Sequence, residues 1–469
     1  MPEPSLHLYN TMTRRLEPFE PLEAEHARLY TCGPTVYDFA HIGNLRTFLF
    51  EDILRRTLAL FGYRVTQVMN LTDVDDKTIR GAREAGVSLR DYTDRFVDAF
   101  FEDLATLRVQ PAEHYPRATD YVPQMVDLVR RLEEAGHTYR SEGSIYYRIA
   151  TFPEYGKLSG VRLDDNIAGA RVDADEYEKE NARDFVLWKA AKADEPSWDT
   201  ELGLGRPGWH LECSAMSMSL LGETFDIHTG AVDNVFPHHE NEIAQSEGAT
   251  GRPFVRMWLH AEHLVVEGEK MAKSKGNFYT LRDLLQEGHD PVVLRYLLIS
   301  VPYRQKLNFT HDGLHAAASA VERIGNTLRR LQSTPAVDGA GALAPEAVSR
   351  YRDDLRASLG DDLNTARALA ALHTLLTEIN TALDRGGIGV GARDALATAF
   401  EETGATLDVL PSADSSREDD AEIQILVDER TEARKARDFA RADRLRDELA
   451  VRGIVLEDTP HGTIWHRRG

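Results

Sequence analysis

The chain has 469 residues, 42% hydrophobic and 28% charged, which is ordinary for a folded protein and excludes a disordered or collagen-like one. Its formal net charge of -22, from 55 Lys+Arg against 77 Asp+Glu, argues against a protein that coats nucleic acid non-specifically. Two cysteines, Cys32 and Cys213, are too few for a disulfide framework and too far apart in sequence for a local metal finger. The length suggests about three or four domains. Residues 1–10 lack a basic region followed by an apolar run. No segment reaches the roughly 18–20 apolar residues that cross a bilayer, so a cytoplasmic chain with no membrane partner is expected.

In chain order, residues 29–31 read as a strand entering the turn Cys32-Gly33-Pro34. Phe48, Ile53, Leu54 and Leu58 then recur at helical spacing, and Gly62 closes that helix. Residues 65–70 read as a second strand. Strand, helix and strand within about fifty residues predict a βαβ unit and a parallel sheet. Ligands bind beyond the carboxyl ends of such strands, where Cys32 and Thr72 fall. Next come a helix over 122–135, a strand over 144–147 and a charged, exposed lobe over 170–183. A helix over 209–221 and strands over 225–228 and 264–266 follow, the last running into a basic loop at 270–275.

From residue 311 onward, Ala, Leu and Arg dominate. Helical spacing over 321–331, 347–359, 365–383 and 395–403 predicts an antiparallel bundle, with a linker at 333–343. Residues 411–420 are polar and read as a second linker. Residues 421–449 predict two charged helices, and 454–465 a hairpin. Ten basic and ten acidic residues balance from 421 onward, so this end escapes the general acidity.

Three motifs bear on chemistry. Gly203-Leu-Gly205-Arg-Pro-Gly208 matches a dinucleotide fingerprint, but Trp198-Asp199-Thr200-Glu201 before it is no strand interior. A glycine-rich loop is expected there, and a dehydrogenase is rejected. His41-Ile42-Gly43-Asn44 opens a helix after a strand. His41 and Asn44 can donate to phosphates, Gly43 lets a base stack on backbone, and the helix N-terminus favours anions. Lys270-Met271-Ala272-Lys273-Ser274-Lys275 puts three lysines into an acidic chain, suited to charge developing on a transferring phosphoryl group.

His238 and Glu242 stand one helical turn apart after Pro237. Two thiolates, an imidazole and a carboxylate suit zinc. His239 and Glu240 compete for the same role, and the residues alone leave that choice open.

The His41 and Lys270 motifs together resemble the His-Ile-Gly-His and Lys-Met-Ser-Lys-Ser signatures of class I aminoacyl-tRNA synthetases, departing at Asn44 and Ala272. Thr31-Cys32-Gly33-Pro34-Thr35-Val36-Tyr37-Asp38, Asn70-Leu71-Thr72-Asp73-Val74-Asp75-Asp76-Lys77, Gly208-Trp209-His210-Leu211-Glu212-Cys213-Ser214 and Phe236-Pro237-His238-His239-Glu240-Asn241-Glu242 are similar to the cysteinyl-tRNA synthetase family. So is the segment from Gly453 to Pro460.

That resemblance implies an α/β fold: a Rossmann-like parallel-sheet catalytic domain with an inserted lobe, a helical bundle, and a small C-terminal α+β anticodon-binding domain. The expected divisions are 1–117 and 206–310 for the catalytic halves, 118–205 for the lobe, 311–410 for the bundle and 421–469 for the last domain. It implies ATP-dependent activation of L-cysteine and transfer to tRNA(Cys). One zinc per subunit would be held by Cys32, Cys213, His238 and Glu242. Gly33, Thr72, Trp209, His238 and Asp233 would line the cysteine pocket. His41, Gly43, Asn44, Lys270, Lys273 and Ser274 would bind Mg-ATP, with His41, Asn44, Lys270 and Lys273 catalytic. His228 is a further contact expected with adenosine or the amino group, and His260 and His263 are either pocket or surface. Arg430, Arg434, Lys435, Arg437, Arg441, Arg444 and Arg446 lie on charged helices, read either as tRNA contacts or as a salt-bridged face. Trp465 and residues 466–468 suit an anticodon base. A monomer is expected. The competing readings are a ligase joining cysteine to an amino sugar and a non-catalytic tRNA-binding paralog.

Overall fold

The computed structural model describes residues 5–161, 183–193, 195–272, 275–411, 423, 425–434, 438–451, 454–459 and 462–467. The charged lobe expected at 170–183 lies outside this set except for Arg183, and the linker at 411–420 except for Pro411.

Four parallel strands form the central sheet. They are β1 (His26–Thr31), β2 (Arg64–Met69), β3 (Phe225–Ala231) and β4 (Val255–Ala261). The spatial order is β4-β3-β1-β2. Leu29 and Tyr30 of β1 are wholly buried, as are Phe225 and Ile227 of β3, because a parallel sheet is covered on both faces. Helix α1 (Ile42–Leu60) joins β1 to β2 and presses Leu45, Leu49, Ile53 and Leu58 into the core. Helix α2 (Trp209–Leu221) leads into β3, and α3 (Glu240–Thr250) into β4. The carboxyl ends of β1 and β3 therefore open onto the N-terminal portions of α1, α2 and α3.

Between the halves of the sheet, Thr138–Ser141, Ser144–Tyr147, Phe185–Ala190, Gly203–Pro207 and Trp198–Thr200 build a five-stranded antiparallel sheet, in that order. The glycine-rich loop expected at Gly203 is thus a strand. Gly205 serves close packing: a Cβ on it would lie 2.3 Å from the Lys189 carbonyl and 2.4 Å from the Trp188 indole nitrogen, whereas Gly203 serves a positive φ of 106°. Backbone contact of this kind produces the glycine spacing without any nucleotide.

The bundle comprises His311–Ser333, Pro345–Gly360, Thr365–Arg385 and Val390–Thr406. The stretch over 333–343, expected as a linker, is instead docked. Val337 N–H donates to the Ile388 carbonyl at 3.1 Å and Ala342 N–H to Gly387 at 2.8 Å, while Leu343 is buried. Arg295, wholly buried on the helix Pro291–Ile299, ties the bundle to α1. It donates to Asp52 at 2.6 Å and to the Leu407 and Leu107 carbonyls at 2.8 Å. At the C-terminal end, the helix Phe439–Val451 and the antiparallel hairpin Ile454–Thr459/Gly462–Arg467 share a small core of Ile423, Val427, Leu449 and Ile454. Among the described residues, no helix is long and apolar enough to cross a membrane.

Candidate active site and metal centre

Cys32 immediately follows β1, and its N–H donates to the Thr229 carbonyl of β3 at 3.2 Å. Cys213 lies in the first turns of α2. A kink at Phe236 (φ -141°, ψ 131°) turns the chain into α3, so that His238 and Glu242 face the same point. One donor atom from each of Cys32, Cys213, His238 and Glu242 lies within 4.8 Å of the others. His238 Nε2 is 3.0 Å from Glu242 Oε1. Oε1 is thus a buried carboxylate oxygen with an ion-pair contact but no hydrogen bond. His238 Nδ1 lies 2.9 Å from His210 Nδ1.

Electrostatics sharpen this cluster. The hydrogen bond from the Cys32 thiol brings Cys213 down to about 6 against the effect of burial. The same bond and burial push Cys32 well above the usual thiol range. Burial opposes ionisation of Glu242, but the His228 and His238 rings bring its carboxyl down to about 2. Burial likewise opposes charge on His238, yet Glu242 and Cys213 raise it to about 10. A carboxylate, two thiols and an imidazole, all buried with donor atoms within 4.8 Å of one another, are the donor set of a zinc-type ion.

Next to this cluster, a Cβ on Gly33 would lie 1.7 Å from the Asn70 carbonyl, so only glycine fits. Gly33 N–H donates to Asn70 Oδ1 at 2.9 Å. Asn70 Nδ2 donates to the Thr72 hydroxyl at 3.2 Å, which in turn donates to Glu212 Oε2 at 3.1 Å. Trp209 is 37% exposed and its ring lies 4.4 Å from His238, so it faces the opening instead of the core. Asp233 is exposed and pairs with His263 Nε2 at 3.2 Å. His228 is wholly buried against Trp258 and Glu242, which corrects the expectation that it touches adenosine or an amino group. His260 is also buried, where burial brings it down to about 3.

The signature at His41 forms a reciprocal cap on α1. His41 Nδ1 accepts from Asn44 N–H at 3.1 Å, and Asn44 Oδ1 accepts from His41 N–H at 3.3 Å. With Nδ1 accepting, the ring proton sits on Nε2 and Asn44 keeps its amide donors, both suited to phosphate. A Cβ on Gly43 would lie 2.9 Å from the Met271 terminal methyl, so the lysine segment rests on this glycine. Ile42 N–H donates to the Tyr279 carbonyl at 3.0 Å, pinning the far side of that segment as well. Lys270 is exposed on the short strand Glu269–Lys270. Lys275 is held by Glu269 at 2.7 Å. Lys273 and Ser274 lie outside the described residues.

Sequence reasoning missed several polar groups. Glu212, wholly buried on α2, anchors Thr72, and the signal was an acid inside an otherwise buried helix. Asn277 spans the lysine segment, its Oδ1 accepting from Ala272 N–H at 2.9 Å and its Nδ2 donating to the Lys270 carbonyl at 3.3 Å. Of the competing metal candidates, Glu240 is spent on the Gly156 and Ser159 amides at 2.9 and 2.8 Å, whereas His239 contacts Cys32 at 3.3 Å. In the C-terminal region Arg441 pairs with Glu429 at 2.9 Å, and Arg446 with Asp443 and Asp447, as a salt-bridged face would. Lys435, Arg437 and Arg468 lie outside the described residues, as do the side chains of Trp465, His466 and Arg467.

Known proteins resemble this arrangement. A family model described as tRNA synthetases class I (C) catalytic domain matches residues 18–319, a DALR domain matches 355–410, and a cysteinyl-tRNA ligase anticodon binding domain matches 417–465. The cysteine–tRNA ligase of Solibacter usitatus is 51% identical over 99% of this chain and 100% of its own length. That of Protochlamydia amoebophila is 48% identical over 98% of this chain and 97% of its own. Among solved structures, Mycobacterium tuberculosis methionyl-tRNA synthetase with methionyl-adenylate shares the fold. It has a TM-score of 0.57 at 16% identity, covering 82% of this chain and 90% of that one. Signature motifs, fold and near-full-length identity converge: this chain belongs to the cysteinyl-tRNA synthetase family of class I aminoacyl-tRNA synthetases.

Proposed function

We propose that the chain carries out its family's reaction, ATP-dependent joining of L-cysteine to tRNA(Cys), with the residues assigned as follows. The convergence of Cys32, Cys213, His238 and Glu242 at the ends of β1 and β3 supports this reading most directly. These four side chains would hold one zinc ion per subunit, whose chemistry is to favour a thiolate over a hydroxyl ligand. Size exclusion could not separate cysteine from serine so well, since a small change in a pocket is worth only about 1–3 kcal/mol. Trp209, Gly33 and Thr72 would wall the amino-acid pocket beside His238, and the exposed carboxylate of Asp233 suits the substrate ammonium group.

In the first step, a cysteine carboxylate oxygen bonds to the α-phosphorus of Mg-ATP, and the bond to pyrophosphate breaks. His41 and Asn44 hold phosphate oxygens at the N-terminus of α1, and Gly43, on which the Met271 methyl rests, would meet the nucleotide once the lysine segment moves off it. Lys270, with Lys273 and Ser274, stabilises charge on the transferring phosphorus and leaving pyrophosphate. In the second step, the 2′-hydroxyl of the terminal tRNA adenosine attacks the adenylate carbonyl and AMP leaves. The bundle, 311–410, and the C-terminal domain, 421–469, would contact the tRNA, and the catalytic halves 1–117 and 206–310 would flank the inserted 118–205. The protein would work as a cytoplasmic monomer.

The test is purified protein with ATP, labelled cysteine or serine, and tRNA(Cys) or an amino sugar as acceptor. Cysteinylated tRNA, with serine activated negligibly, is expected. Joining of the sugar but not the tRNA would replace this reading by that of a cysteine–sugar ligase.

A further inference from the structure

The carboxylate of Glu242 faces two ways. Oε1 lies toward His238, while Oε2 lies 3.0 Å from His228 Nε2. Cys32 is equally two-sided, lying within 4.8 Å of the Cys213 sulfur in the first set and 3.3 Å from His239 Nε2. Cys32, His228, His239 and Glu242 thereby make a second set whose donor atoms all lie within 4.8 Å of one another.

Contacts behind both rings fix how their inner nitrogens face this set. His228 Nδ1 is 3.3 Å from the Thr229 carbonyl. Nε2 is 3.0 Å from Glu242 Oε2, and a carboxylate only accepts, so the ring donates to Glu242 until a metal ion takes the place of that proton. His239 Nδ1 is 2.8 Å from His260 Nε2, and His260 Nδ1 is 2.8 Å from the Thr11 hydroxyl. Donation outward along that chain leaves His239 Nε2 bare toward Cys32. Partners on the far nitrogen orient metal-binding histidines in this manner. Trp258 stacks on His228 at 4.6 Å and packs on His239 at 5.0 Å, holding both rings in place.

We propose that Cys32, His228, His239 and Glu242 form a second, deeper position for a divalent ion of zinc or cobalt type. The position shares Cys32 and Glu242 with the first set, so one ion occupies either place. This rests on the reading of the first set as a metal site. An ion in the deeper position would exchange Cys213 and the Trp209-facing His238 for two interior imidazoles.

Cobalt substitution tests both sites separately. Wild-type protein should bind one cobalt ion with the ultraviolet charge-transfer band of two thiolates, and a missing band would overturn the first site. The Cys213→Ser/His238→Ala variant should still bind one ion, with that band reduced by about half, since one thiolate remains. Adding His239→Ala should abolish this retained binding. No cobalt in a double variant that melts like metal-free wild type would overturn the second site, as would retained cobalt indifferent to His239→Ala. If the double variant does not fold, Cys213→Ser serves, with His238→Gln added to remove the first set's imidazole. Its one-thiolate band should vanish on His239→Ala, and persistence of the band would again overturn the proposal.

Discussion

The two ends of the active site are built on opposite plans. At the thiol end, Cys213, His238 and Glu242 are almost completely buried, and their partners are other side chains. At the nucleotide end, Lys270 is exposed and His41 and Asn44 are held through backbone capping. The difference follows from the chemistry. Telling sulfur from oxygen needs a dry, fixed donor set, because water would compete for the ion. Binding a triphosphate and releasing pyrophosphate need donors that solvent and substrate can reach. Both ends are joined through the sheet: Cys32 extends β1, and His41 caps the start of α1 a short loop later.

This contrast can be broken experimentally. The largest effect is expected at the thiol end: Cys213→Ser should lower cysteine-dependent pyrophosphate exchange more than about 100-fold, since even residues merely behind a metal ligand cost 10–100-fold. Retained cysteine affinity in that variant would remove the basis for zinc selection. Lys270→Ala should reduce kcat for adenylate formation about 100-fold and leave KM for cysteine near its wild-type value. A matching rise in KM for cysteine would mean that the two ends do not act independently.

Trp209→Ala should raise KM for cysteine about tenfold, the order expected for a lost pocket wall, with little change in KM for ATP. Measuring both constants in one titration would sharpen the boundary between the ends. Arg295→Met probes what the ends share. It leaves Asp52 with Arg56 as its ion-pair partner and the Gln110 N–H, so chemical denaturation should show a loss of about 3 kcal/mol, in the range for breaking a buried ion pair. The KM values for cysteine and ATP should stay close together with wild type in the folded fraction.

Much of the fold was legible in local sequence. Leu29 to Thr31, the helix closed by Gly62, and the strand at Val65 all appear where apolar spacing put them, because burial and turn chemistry act locally there. The strand at Gly203 was not legible, since Gly205 is explained by Trp188 and Lys189 in another strand. The 333–343 stretch read as a linker because its small residues carry no apolar pattern, and its anchoring is through backbone hydrogen bonds to Gly387 and Ile388. The Glu212–Thr72–Asn70 chain was equally hidden, because each link crosses between separate segments.

By itself, then, the sequence determined the motifs, their order and the family they resemble, since those are properties of residue identity and spacing. It also determined that only two cysteines were available. Only the tertiary structure decided that both lie within reach of His238 and Glu242, and that Glu240 is occupied elsewhere while His239 turns toward Cys32. The physical reason is the parallel sheet. Hydrogen bonding of β1 to β3 brings residues remote in sequence to one edge, and that adjacency is fixed by strand order, which no local pattern encodes.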